Sequence, residues 1–164
     1  MAESISALPP RRADRRGLIA SIGASVVAAV VVNGSLAAFG LNAPFPKHWP
    51  AFAPQGPVIG IIWVLLFGAM GAAAWDARRF GLARAVTGLI VLCLAYPFYT
   101  HLIPGHATEL AGNIVSFCYA LWLIVRLRRS GAARAATLIG LVALWIAFAT
   151  ALVIGLIQLN GWPT

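Results

Sequence analysis

The sequence predicts an all-α fold: an integral membrane bundle of five transmembrane helices. Three observations carry that prediction. First, 61% of the 164 residues are apolar and only 10% are charged, against roughly 45–50% and about 25% in an ordinary soluble domain. A soluble chain of this length has too much surface for its volume to hide so many apolar side chains, and a disordered chain would show the opposite bias. Second, charged residues are absent from five long stretches, 17–46, 48–75, 85–108, 110–125 and 135–164. One span takes ~20 apolar residues, so this content supplies about five. Third, the stretches are continuously apolar, without the in-and-out alternation of a transmembrane strand. A helix satisfies every backbone polar group within itself, as lipid requires.

The elements follow in order. Residues 1–16 read as a basic tail holding Arg11, Arg12, Arg15 and Arg16. The membrane domain occupies 17–160, with helices at about 17–40, 57–77, 82–103, 107–127 and 133–158, and 161–164 form a short outer tail. Arg15-Arg16 ahead of Leu18-Ile19, with Ser35-Leu36-Ala37 beyond, has the outline of an export leader. The apolar run exceeds the 7–15 residues of a leader core, so it is read as a retained helix. Pro44, Pro46, Pro50, Pro54 and Pro57 exclude a helix from the first connection. That loop also carries Phe45, Trp49 and Phe52 and is expected to lie over the bundle as a lid, with Trp49, Phe52 and Pro54 as its contacts. The remaining connections are short, which makes successive helices antiparallel.

Eleven arginines fall in the tail, the second loop (Arg78, Arg79, Arg84) and the fourth loop (Arg126, Arg128, Arg129, Arg134), against Lys47 on the other side. By the positive-inside rule the N-terminus is cytoplasmic and the C-terminus outside. Trp75 and Trp122 belong to the inner aromatic belt, Trp49 and Trp162 to the outer one. The +8 charge is therefore an orientation label, not a nucleic-acid footprint, and no nucleic-acid partner is expected.

Polar groups within spans are costly and mark candidate sites. Asn33 lies in the first helix, Tyr96, Tyr99 and Thr100 in the third, Asn113 and Ser116 in the fourth, and Asn160 ends the fifth. Asn33 and Asn113 fit interhelical hydrogen bonding or a cavity wall. His106 and Glu109, spaced i, i+3, read with His101 as a solvated interfacial loop, and no metal is expected. Ala20, Ala24 and Ala28, then Gly56 and Gly60, then Gly68 and Gly71, are small-residue contact patterns within the bundle or between two copies. Cys93 and Cys118 read as small buried hydrophobes. No G-x-S-x-G, phosphate loop or paired carboxylates occur, which argues against conventional hydrolysis or phosphoryl transfer.

Pro50-Ala-Phe52-Ala-Pro54-Gln-Gly56-Pro57-Val-Ile-Gly60-Ile-Ile-Trp63-Val-Leu-Leu-Phe67-Gly68-Ala-Met70-Gly71 resembles the second-helix signature of the TspO/MBR family. The members are translocator proteins and bacterial tryptophan-rich sensory proteins. Leu144-Trp145-Ile-Ala-Phe148-Ala149-Thr150-Ala-Leu152, followed by Leu159-Asn160, resembles its fifth-helix block. The resemblance spans about 17–160 and marks a divergent member. Gln55, Pro57, Val64 and Phe67 stand where the family has proline, tryptophan, threonine and tyrosine.

The resemblance implies a five-helix, usually homodimeric receptor or sensor in a bacterial cell membrane. It implies a cavity between helices that takes porphyrin-type tetrapyrroles, haem included, or other hydrophobic small molecules. Slow porphyrin breakdown or transport is the accompanying activity, and no cofactor is required. Trp63 and Trp145 match the two cavity tryptophans and are the only catalytic candidates. The candidate ligand-binding set is Gly60, Trp63, Phe67, Tyr96, Tyr99, Asn113, Trp145, Ala149 and Leu152. Helical spacing places Gly60, Trp63 and Phe67 on one face and Trp145, Ala149 and Leu152 on another. Indole rings suit a large flat ligand. The second reading, motivated by the substitutions above, is a structural or assembly subunit of a larger membrane complex with a decayed ligand site. The fifth helix lacks the Tyr and Lys/Arg of the proposed sterol-recognition pattern.

Overall fold

In the computed structural model, which describes residues 12–40 and 48–161, the chain forms five helices. These are α1 (Arg12–Ala38), α2 (Gly56–Ala77), α3 (Ala83–Leu102), α4 (His106–Arg129) and α5 (Ala133–Asn160). All five are long and apolar enough to cross a membrane. Arg11, Phe45, Lys47 and Trp162 lie outside the described residues.

The first helix starts about a turn before the apolar run, at Arg12 rather than at residue 17. Helical hydrogen bonding does not end where apolar residues do. Asp14 lies in the first turn, where a negative charge suits the helix dipole, and it accepts from Arg78 Nη2 at 2.8 Å. Arg79 adds a longer contact of 3.6 Å. At the same end Arg134 pairs with Asp76 at 3.3 Å, and the Arg78 guanidinium lies 3.2 Å from the centre of the Trp75 ring. The arginine loops thus meet at one end of the bundle. A 3-10 turn, Arg78–Phe80, leads into the turn between α2 and α3, and Gly81 there takes φ 70°. Gly131, between α4 and α5, takes φ 86°. Both conformations carry a steric penalty for a residue with a Cβ.

α2 is the central helix. It packs against α1, α3 and α5, while α4 closes the bundle between α3 and α5. The buried side chains Met70, Val86, Leu89, Leu123, Leu127, Ile139 and Val142 fill the middle and the arginine end. Lipid tails are as apolar as leucine, so helix association depends on close packing and hydrogen bonds rather than on hydrophobic burial. Gly71 supplies both. Its carbonyl accepts from Ser21 Oγ at 2.7 Å. A Cβ at Gly71 would stand 2.6 Å from the Ser21 carbonyl oxygen and 2.9 Å from Ile22 Cα.

This contact settles which small residues carry packing. On α1 the buried positions are Ser25, Ala29 and Leu36, whereas Ala20 and Ala24 are exposed. The packing stripe is displaced by one residue from the alanine repeat. In an alanine-rich helix several stripes have small residues, and only the one with a partner carries meaning. Gly68 and Gly71 face α1, but Gly56 and Gly60 face open space. Cys93 is buried as expected, whereas Cys118 is exposed on α4.

Replacing Gly71 by alanine is expected to destabilise the bundle by about 1–3 kcal/mol, the usual cost of overpacking. Thermal unfolding in mild detergent reads this as a lowered midpoint. Gly140→Ala, where a Cβ meets nothing within 4 Å, is expected not to lower it.

Candidate functional site

The end of the bundle away from the arginines is built from larger side chains, and the helices leave a gap there. Between the C-terminal parts of α1, α3 and α5 and the N-terminal parts of α2 and α4 lies a cavity of about 380 Å³. Its walls are largely apolar, with a cluster of aromatic rings on one side. Trp63 of α2 meets Trp145 of α5 edge to face, with ring centroids 6.5 Å apart and planes at 89°. Phe67 lies one helical turn from Trp63, at 5.8 Å. Phe148 stacks on Trp145 at 5.3 Å. Aromatic pairs at these separations hold each other's orientation and form a stiff wall.

α3 shapes the opposite wall through Pro97. A proline within a helix has no N–H to give, so the Cys93 carbonyl loses its regular donor. Cys93, Leu94, Tyr96 and Pro97 all line the cavity beside this break. Thr100 Oγ1 donates to the Tyr96 carbonyl at 2.8 Å and so occupies another acceptor near the break.

The polar part of the wall is short. Asn33 Nδ2 donates to the Ala29 carbonyl at 2.8 Å, within its own helix. Asn113 is 6% exposed, and its Nδ2 has no hydrogen-bond partner among the described residues. It makes no interhelical bond and lines the cavity instead. His106 Nδ1 and Glu109 Oε2 stand 2.9 Å apart in the first turn of α4. The sequence alone predicts a solvated loop here. In the structure both side chains are mostly covered and line the cavity, because α4 begins at His106 and puts the i, i+3 pair on its inner side. His101 is exposed, and no three metal-ligating side chains converge among the described residues.

The first loop is tied down by Asn160. Its Oδ1 accepts from the His48 N–H at 3.0 Å and its Nδ2 donates to the His48 carbonyl at 2.9 Å. Such a two-point bond fixes both position and direction of the strand it holds. It places Trp49 at the cavity. From the sequence Asn160 read only as a helix end. The chain then turns, with Ala53 N–H donating to the Pro50 carbonyl at 2.9 Å, and runs over α5.

Of the residues singled out from sequence, Trp63, Phe67, Tyr96, Asn113, Trp145, Ala149 and Leu152 line the cavity, as does Trp49. Four do not. Gly60 is exposed although it shares a helix face with Phe67, because no neighbour comes within 4 Å of where its Cβ would be. Tyr99 turns toward α4 and packs over Gly112. Phe52 lies against Phe148 at 6.2 Å and over Gly155, outside the cavity. Pro54 lines a separate shallow depression with Leu66 and Leu144. Phe148, Cys93, His106 and Glu109 are among the wall residues that the sequence did not single out. Phe148 was within reach, since it follows Trp145 by three positions on the same helix. No protein-family model and no curated protein matches the chain.

Asn160→Ala is expected to release the loop while leaving the helices in place. Hydrogen exchange read by mass spectrometry would show faster exchange at the His48 amide. The Ala53 amide, held by its own local turn, is expected to change less.

Proposed function

We propose that this chain is a TspO-like membrane receptor that binds porphyrin-type or other hydrophobic ligands in the cavity between its helices. The observation that carries the reading is the meeting of Trp63 and Trp145 at one wall of that cavity, with Trp49 at its rim. These are the two tryptophans that the family resemblance singles out, and they come from helices distant in sequence. The volume, about 380 Å³, lies within the range of about 300–1,000 Å³ typical of small-molecule sites. It suits a compact hydrophobic ligand whole and a tetrapyrrole inserted by one edge. Stacking on indole would favour a flat ring.

The proposal includes orientation and assembly. The N-terminus lies in the cytoplasm of a bacterial cell, because the arginine loops meet at one end. The cavity then belongs to the outer half of the membrane. Two copies form a homodimer, as the resemblance implies, and the exposed Gly56 and Gly60 of α2 leave room for a close approach there. A photoexcited ring held against indole can exchange an electron with it, which is how slow breakdown of a bound tetrapyrrole would begin.

The test is a titration of protoporphyrin IX into purified protein, followed by tryptophan quenching. Saturable binding is expected, weakened about tenfold in Trp63→Leu and Trp145→Leu as the aromatic wall is lost, roughly 1.4 kcal/mol each. Ala149→Phe, which fills the cavity without removing an indole, is expected to weaken it as well. Unchanged affinity in all three variants would place the ligand elsewhere. No saturable binding to the parent chain would end the reading. Loss of the bound ligand's absorbance under illumination separates a degrading enzyme from a receptor.

A further inference from the structure

The charge and hydrogen-bonding character of the cavity narrows what it accepts. Glu109 is the acid on its wall, and the arginines lie at the opposite end of the bundle. Along α4, Glu109 and Arg126 are separated by about 25 Å of helix, at 1.5 Å rise per residue. The Glu109 carboxylate has one oxygen on His106 Nδ1, at 2.9 Å, which leaves its second oxygen for another donor. The other titratable groups on the wall are His106, Cys93 and Tyr96 from α3 and α4; α1, α2 and α5 contribute none.

The neutral groups supply both donors and acceptors, since Asn113 Nδ2 and Trp145 Nε1 also lack partners among the described residues. Asn33 uses its N–H on Ala29 and keeps its amide oxygen as an acceptor. The Cys93 carbonyl is freed by Pro97. What sets the wall's charge is the one carboxylate, in a cavity also walled by Trp63, Trp145, Phe67 and Phe148. Aromatic faces carry negative quadrupole potential and attract a cation, most strongly where water is excluded. An anion would meet a carboxylate, with no described arginine or lysine on the wall.

We infer that the cavity selects hydrophobic organic cations, ligands of apolar or aromatic bulk carrying one delocalised or ammonium-type positive charge, with Glu109 as the counter-ion and His106 as the residue that positions it. The inference rests on the cavity being a ligand site, as proposed above, and adds the charge of whatever enters it; a porphyrin inserted by its apolar edge would keep its propionates outside.

Tetraphenylphosphonium and tetraphenylborate are near-isosteric ions of opposite sign, and both are compact enough for the cavity. Each is titrated by calorimetry into the full chain in uncharged detergent, with protein-free micelles subtracted. The cation is expected to bind saturably and more tightly than the anion. In Glu109→Gln, which keeps a side chain able to hydrogen-bond His106, the ratio of the two affinities is expected to fall about tenfold, the size of one partly screened charge pair. The comparison within the parent chain needs no variant, so a poorly folding Glu109→Gln does not void it. Equal or tighter binding of the anion overturns the inference, as does a ratio unmoved in well-folded Glu109→Gln. If neither ion binds while protoporphyrin IX does, the charge preference fails and the receptor reading stands. If none of the three binds, both fail.

Discussion

Everything in this molecule depends on how closely its neighbours can approach α2. Helices in lipid gain little from hiding apolar surface from one another, since the surroundings are equally apolar. What holds them is contact density and the occasional hydrogen bond. At Gly71 the α1 backbone comes close enough for Ser21 to bond the Gly71 carbonyl. Ala72, Ala73 and Ala77 are buried small residues on other faces of α2, and Ala135, Ala136 and Ala143 are buried small residues of α5. One half of the bundle is therefore tight.

The cavity is the consequence of the other half. Toward the N-terminus of α2 the small residues give way to Phe67 and Trp63, and α5 changes in the same direction with Trp145 and Phe148. Large rings cannot interdigitate as alanines do, and helices held close at one end are kept apart at the other. Pro97 removes a helical hydrogen bond in α3 at the same level. Asn160 then fastens the first loop beside the opening. Packing gradient, helix break and loop anchor act at one level of the bundle, so one region carries both the gap and the means of covering it.

The same gradient separates the charges. Arginine side chains and their partners Asp14 and Asp76 gather at the tight end, where the chain leaves the apolar region. The aromatic end keeps one acid, Glu109, and holds it against His106 inside the wall. A carboxylate in a largely apolar surrounding has an influence that it would lack in water, because little solvent screens it.

The fold was legible in the sequence because its determinants are one-dimensional. A span is a count of consecutive apolar residues, and the alternation of arginine-rich loops follows chain order. The wall residues Trp63, Phe67, Trp145, Ala149 and Leu152 were also within reach, since each recurs at helical spacing beside a recognisable block. Tertiary structure alone decided which of several small-residue stripes on α1 and α2 is a contact. It turned Tyr99 onto α4 and Phe52 onto α5, left Gly60 uncovered, and brought His106 and Glu109 into the wall. It also made Asn160 an anchor for a loop more than a hundred positions away in the chain. The physical reason is the same in each case. Composition and periodicity describe a helix's own surface, whereas the partner of each face depends on how all five helices rotate against one another. That rotation is set by contacts such as Gly71 on Ser21, which join residues with no pattern in common.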